Sequence, residues 1–355
     1  MKITVIGAGN GGQAIAGYCA SHGYRVCLYD RSIEVLTPLI STKCIKLTGA
    51  ISLEGHLDVI TQDICEAINY SNLILVVTTA TAHREIAEKI VPYLTDDHTI
   101  VLNPGRTFGV LEFGNVLKQK RPLLKCHIAE TQTLVFACRI KTPGVVNIIG
   151  VKDKVLLAGR NSEETCYVHH LIFPIFPCLI MADSLIETGL LNVGAIFHPS
   201  ILIFNAATIE RSEVFYFYRQ MTPQIASCIE QLDEERLAVS HAYGIDLMPV
   251  RDWISYAYPE TKGDTLCERL RNNPAYFDIK SPSSIFTRQL TEDIPTGLLP
   301  MSELGRVAGV ETPLMDSFTH ISSALLNVDF IKTGRTLSNL GLAGLNAQEI
   351  KNTLS

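Results

Sequence analysis

No close pair of cysteines exists in these 355 residues. The ten stand at 19, 27, 44, 65, 126, 138, 166, 178, 228 and 267, and the nearest two are 8 apart. Metal ligands normally arrive in pairs such as C-x-x-C, so no metal is expected. Single scattered cysteines behave as small buried hydrophobes in a reducing compartment. Basic patches are scarce too. Lys+Arg number 30 against 36 Asp+Glu, a net charge of −6, and Lys118-Gln119-Lys120-Arg121 reads as a solvated helix end. Such a chain has no diffuse attraction for a phosphate backbone, which argues against nucleic acid as a partner. The longest apolar run, Leu171 to Ala182, carries Pro174 and Pro177 and falls short of the ~20 residues of a spanning helix. Nothing after Met1-Lys2 reads as a signal peptide. The expectation is a soluble, cytoplasmic protein with no membrane partner. Charged residues are only 19% against 47% hydrophobic, with a single Trp, which excludes intrinsic disorder.

What is present is an alternation of strand and helix signals through the first half. Lys2–Ile6, Arg25–Tyr29, Leu73–Thr78, Thr99–Leu102 and Lys125–Ala129 read as apolar, β-branched strands. Helical patterns cover Gln13–Ser21 and about His83 to Tyr93. That alternation predicts a parallel sheet of Rossmann type. From about 185 onwards helices dominate. Thr222-Pro223 supplies a cap and an N1 proline with Gly244 past the end, and Thr312-Pro313 opens another helix. Leu314, Phe318, Ile321 and Leu325 are expected on its buried face. The fold class is therefore an α/β Rossmann-type domain, residues 1–180, followed by an all-helical domain, residues 181–355.

Gly7-Ala8-Gly9-Asn10-Gly11-Gly12 fits G-x-G-x-x-G between a strand and a helix, with Asp30 closing the next strand. Gly7 permits the turn, Gly9 admits a pyrophosphate, and Gly12 lets helix and strand pack closely. Asn10 and Gly11 lie in the same loop, whose bare N–H groups favour phosphate. Asp30 suits ribose hydroxyls and repels a 2′-phosphate, favouring NAD, whereas Arg31 beside it keeps NADP open. Thr78 and Thr79 end one strand and Asn103 the next, positions that line a cofactor crevice by the switch-point rule.

In the second half, His198 and Asn205 stand seven apart in an almost wholly apolar segment, and so share a helical face. Taken alone, a core or capping histidine is the commoner reading. The chain resembles the opine dehydrogenase family (octopine/nopaline dehydrogenase type) across nearly its full length. The resemblance lies in GAGNGGQAIA at 7–16, LNPGRTFGVLEF at 102–113, ETQTLVFACR at 130–139 and the His-Pro of 192–210. It continues through 215–245, SPSS and LTEDIP within 280–296, and the segment 304–345 ending GRTLSNLGLAGL. It implies NAD(P)H-dependent reductive condensation of an amino acid with a 2-oxo acid. It also puts the catalytic histidine on His198, its paired acid on Asp316, and Glu130 and Thr131 against substrate; Asn205, on the face of His198, is a further substrate candidate. Histidine suits proton exchange near neutral pH, and a carboxylate on its other nitrogen fixes the tautomer.

Asp316 by itself reads as an exposed first-turn acid that could pair with His320. No lysine lies between Lys154 and Lys262, which argues against ketopantoate reductase, glycerol-3-phosphate dehydrogenase and 3-hydroxyacid dehydrogenases. A non-catalytic NAD-binding redox sensor and a simple 2-oxo acid reductase stay as alternatives, and a homodimer is left open.

Overall fold

The apolar stretches of the first half become strands with almost every residue buried, as a sheet covered on both faces requires. The computed structural model describes residues 1–354. Its strands are β1 (Lys2–Ile6), β2 (Arg25–Tyr29), β3 (Cys44–Gly49), β4 (Leu53–His56), β5 (Val59–Thr61), β6 (Leu73–Val76), β7 (Thr99–Leu102), β8 (His127–Thr131), β9 (Phe136–Thr142), β10 (Val145–Val151), β11 (Val155–Gly159) and β12 (Leu179–Met181). Contacts divide the chain into Met1–Thr188, joined by the C-terminal residues from Thr353, and Gly189–Asn352.

In the first unit, eight strands form one sheet in the order β12-β11-β8-β7-β6-β1-β2-β5. All neighbours run parallel except β8 and β11. The order reverses at β1, whose neighbours are β2 and β6, so the loops after β1 and β6 open side by side. A second sheet, β4-β3-β10-β9, was not foreseen from the sequence. It packs against the Asn10–Ser21 helix, where Ile45 and Leu47 are buried. A Cβ on Gly17 would lie 2.7 Å from the Ile45 side chain, so glycine allows that approach.

The second unit is helical. The Pro223–Ala242 helix starts as expected, with the Thr222 hydroxyl accepting from the Ile225 N–H at 3.3 Å, and ends before Gly244 in the left-handed region. Inside it, buried Arg236 meets Asp233 at 2.6 Å and donates to the carbonyls of Leu190 and Met248, so this interior charge is fully answered. The Pro313–Leu326 helix departs from expectation twice. Thr312 does not cap it; its hydroxyl donates to Ser302, and the Glu235 carboxylate accepts from the Leu314 and Met315 N–H groups at 2.7 and 2.9 Å. Its buried face is Met315, Phe318, Thr319, Ser322 and Leu326, while Ile321 and Leu325 are exposed. The buried face is shifted by about one residue, or about 100°, because polar Thr319 and Ser322 are inside. Thr319 satisfies its hydroxyl on the Met315 carbonyl. The segment Leu185–Phe204 is long and apolar enough to cross a membrane by length and composition alone, and most of its apolar stretch is buried inside the structure.

Candidate active site

The glycine loop is built by contacts that tolerate no side chain. Gly7 has φ +103°, and a Cβ there would lie 2.5 Å from the Val77 carbonyl oxygen. A Cβ on Gly12 would collide with the Gly7 carbonyl. Gly9 differs: nothing lies within 4 Å of its missing Cβ, and no side chain caps the helix that begins at Asn10. Open space before uncapped helix N–H groups is what a phosphate needs. Gly11 faces Leu134. Asn10 is spent elsewhere, its Oδ1 accepting from the Ile140 N–H at 2.8 Å, so its side chain ties the loop to β9.

Asp30 holds the loop from the other side. Its two oxygens accept from the N–H groups of Ala8 at 2.7 Å and Ser32 at 2.9 Å. Arg31 reaches Glu85 at 3.1 Å, on the exposed surface. Asp30, Arg31, Thr78, Thr79, Glu85 and Lys89 are among the residues lining a cavity of about 160 Å³ beside Gly7. Hydrogen bonds and charge from Lys89, then Arg31, hold the Glu85 carboxyl below its usual range despite some desolvation. At the end of β7, Asn103 is fully buried; its Oδ1 accepts from Thr131, and its Nδ2 has no partner among the described residues. These observations fit a dinucleotide.

Glu130 and Thr131, which the resemblance sets against substrate, are engaged inside the first unit. Both are fully buried. Glu130 accepts from the Val110 N–H at 2.8 Å and from the Thr188 hydroxyl at 3.1 Å, and Thr131 donates to Asn103. They brace the loop after β7. Asn205 is a helix end: its Nδ2 donates to the Ile201 carbonyl at 2.8 Å.

In the helical unit, His198 sits on the Val193–Phe204 helix with both ring nitrogens engaged. Nδ1 lies 2.6 Å from Asp293 Oδ2, and Nε2 lies 3.1 Å from the Tyr218 hydroxyl. Asp293 is 1% exposed. Asp316 is therefore not the partner of His198. It accepts from Ser302, stands 3.7 Å from Arg306, and its side chain is half exposed. The sequence carried Asp293 inside the LTEDIP segment, but nothing local ties it to a histidine 95 positions away.

The backbone explains how Asp293 is aimed. It precedes a single wide turn, Ile294–Leu298, in which the Leu298 N–H donates to the Asp293 carbonyl at 3.0 Å. Such π-type turns often re-aim a side chain at a functional position. Gly297 lets this turn close on the histidine helix, since a Cβ there would lie 2.5 Å from Ala195 Cβ. Tyr218 is held by its neighbours: Phe217 N–H donates to the Ile279 carbonyl at 2.7 Å, and the Tyr218 ring stacks on Tyr276 at 4.3 Å. Burial pushes the Tyr218 phenol far above its ordinary value, so it stays protonated. Its O–H then donates to whichever lone pair Nε2 offers.

A fold with a switch-point glycine loop in one unit and a histidine–carboxylate pair in the other defines an NAD(P)-dependent oxidoreductase. Residues 2–105 match the family model described as NAD-dependent glycerol-3-phosphate dehydrogenase N-terminus, and residues 181–326 that of NAD/NADP octopine/nopaline dehydrogenase, alpha-helical domain. Opine dehydrogenase of Arthrobacter sp. (strain 1C) is 35% identical over 99% of this chain and 98% of its own. Octopine dehydrogenase of Pecten maximus is 23% identical, covering 94% and 92%. Among solved structures, octopine dehydrogenase in complex with NADH and agmatine shares the fold with TM-score 0.81 at 21% identity, covering 99% and 97%. Yersinopine dehydrogenase with NADP+ bound does so with TM-score 0.71 at 12% identity, again covering 99% and 97%. The chain belongs to the opine dehydrogenase family, and it acts on CH–NH bonds with NAD(P).

Proposed function

We propose that this chain joins the amine of an amino acid to the carbonyl carbon of a 2-oxo acid and reduces the product to a secondary amine, with His198 exchanging the protons. The observation that carries this reading is the 2.6 Å contact between His198 Nδ1 and buried Asp293. A carboxylate there keeps the proton on Nδ1, leaving the Nε2 lone pair to act, and it stabilises the imidazolium once a proton is taken up. Nε2 removes a proton from the substrate ammonium, freeing the amine to add to the carbonyl. The same proton then goes to the carbinolamine hydroxyl as it leaves as water. One histidine thus serves both steps with no net proton change. Tyr218 supports the cycle by donating to Nε2 until substrate replaces it.

The glycine loop at Gly7, Gly9, Gly11 and Gly12, with Asp30, Thr78, Thr79 and the unpartnered Asn103 amide, would hold the dinucleotide. NAD(P)H supplies the hydride when bound. Asp30 favours NAD, since its charge is fixed beside the cavity while Glu85 offsets that of Arg31. The substrate class draws support from relatives: octopine dehydrogenase has been solved with NADH and L-arginine, and with NADH and pyruvate.

The test is a matrix of amino acids against pyruvate, glyoxylate and 2-oxoglutarate, followed by NADH oxidation and product mass. Oxidation should depend on both substrates. The product mass should equal amino acid plus oxo acid, minus water, plus two hydrogens. Release of only the 2-hydroxy acid would make the chain a plain reductase, and binding without turnover would make it a sensor.

A further inference from the structure

The outer face of the β3–β4 hairpin carries three side chains whose chemistry the reaction does not use. In this antiparallel pair Cys44 stands opposite His56 and Lys46 opposite Glu54. Side chains alternate across a strand, so these four share one face, while Ile45, Leu47 and Gly55 turn inward. A Cβ on Gly55 would collide with the Gly17 carbonyl of the Asn10–Ser21 helix, so the inner face is pressed onto the helix that follows the glycine loop. The outer face is open. On it the Cys44 sulfur, a His56 ring nitrogen and a Glu54 carboxylate oxygen lie within 4.8 Å of one another.

We propose that Cys44, Glu54 and His56 form a binding site for a borderline divalent transition metal of the zinc class, separate from the dinucleotide loop. Tetrahedral zinc has bonds of about 2.0–2.3 Å, which set donor-to-donor edges of about 3.3–3.8 Å. The three donors need to close by only about 1 Å, within reach of exposed side-chain rotations. Thiolate, imidazole and carboxylate together select zinc, cobalt or nickel over magnesium and calcium, which want oxygen alone. The fourth corner faces solvent and takes water. On binding, the Cys44 thiol releases its proton to solvent as the metal–sulfur bond forms. The present contacts are loose enough to yield: His56 Nε2 stands 3.7 Å from Glu54, and Lys46 Nζ stands 4.0 Å from it. Because β4 is an edge strand, the metal would pin it to β3. Ligands ten and twelve positions from Cys44, brought together by strand register, are invisible to rules built on close pairs.

Co2+ titration of the metal-free chain tests this. Wild type should develop the near-ultraviolet thiolate-to-cobalt charge-transfer band with the strong visible bands of a tetrahedral site, and Zn2+ should bleach both. Cys44→Ser should abolish the charge-transfer band, and Glu54→Gln or His56→Gln should weaken binding by about tenfold or more. Lys46→Gln, which removes the competing cation, should tighten it. Zn2+ should raise the melting temperature of wild type by more than that of His56→Gln at the same concentration. The rival donor pair is Cys166 with His170, at 3.4 Å on the Ser162–Ile172 helix; Cys166→Ser should leave the band intact. No charge-transfer band in wild type, or one that survives Cys44→Ser, overturns the proposal. Should Cys44→Ser lose NADH binding as well, His56→Gln decides, since that side chain is exposed on the outer face.

Discussion

Replacing Asp293 by Asn isolates the charge of the partner acid from its shape. In the wild type a buried carboxylate lies 2.6 Å from His198 Nδ1. Hydrogen bonds to a charged group contribute ~1.5–3 kcal/mol against ~1 for a neutral pair, so the acceptor alone loses ~0.5–2 kcal/mol. The imidazolium formed during the reaction also loses its counter-charge, a term bounded by ~4 kcal/mol for charges 4 Å apart at an effective dielectric of 20. At ~1.4 kcal/mol per decade, kcat should fall about 10²–10³-fold, inside the range of general acid–base groups. The amide can also turn its NH2 towards Nδ1 and select the wrong tautomer, which deepens the loss. NADH affinity, read by fluorescence titration, should not change. Asp316→Asn is the matched control: Asp316 is half exposed on Ser302 and Arg306, and such surface contacts contribute ~0–1 kcal/mol. If Asp316→Asn proved the more damaging, or Asp293→Asn left kcat within a few-fold of wild type, the pairing drawn from the structure would be wrong.

The glycine loop makes a paired prediction. Gly9→Ala enters open space, so thermal unfolding should be unchanged while NADH Kd rises, whereas Gly12→Ala meets the Gly7 carbonyl and should lower Tm as well. Asp30→Ala should raise the ratio of NADPH to NADH kcat/KM, and a wild type that already prefers NADPH tenfold would show Arg31 in control. Gly297→Ala drives a methyl to 2.5 Å from Ala195 Cβ and should cut kcat by up to about 10²-fold, as a 1 Å misplacement does; adding Ala195→Gly should restore much of it. Burial raises the Glu164 carboxyl, but the Arg160 guanidinium and the N–H groups of Arg160 and Ile128 outweigh it and hold the group below its ordinary 4.5. A depressed folded value means stability present above about 4.5 and lost as pH falls through the lower folded value. Acid unfolding should therefore move to higher pH in Glu164→Gln, and chemical denaturation at pH 7 should show a loss of about 1–3 kcal/mol.

Much of the first unit was legible because its signals are local. A buried strand of β-branched residues, three glycines at fixed offsets and an acid after the next strand each impose geometry on their immediate neighbours, and β1, β2 and the glycine turn lie where those residues put them. The small sheet was not legible: LEGH and FACRIKT alternate too weakly to announce strands, and β3 pairs with β10 a hundred residues away. The same limit hid the acid of the dyad. His198 stood out by its apolar surroundings, but its partner is chosen by how the turn at 294–298 packs, and pairing across 95 residues leaves no periodic trace. The family likeness pointed at Asp316, a first-turn acid on a well-marked helix. That helix misled again in its buried face, where a hydroxyl bonded to its own backbone passes for a surface residue in sequence.

Glu235 has a consequence for the order in which the helical unit can assemble. The helix at Pro313–Leu326 begins with no cap of its own and takes one from a carboxylate on the Pro223–Ala242 helix, about eighty residues earlier. A first helical turn with two unanswered N–H groups is a poor nucleus. The later helix is thus conditional on the earlier one, and it matures by docking rather than by its own propensity. In the folded chain the amide hydrogens of Leu314 and Met315 should exchange with solvent only when the two helices part, so their exchange rates report a shared opening event and not the fraying of a single helix end.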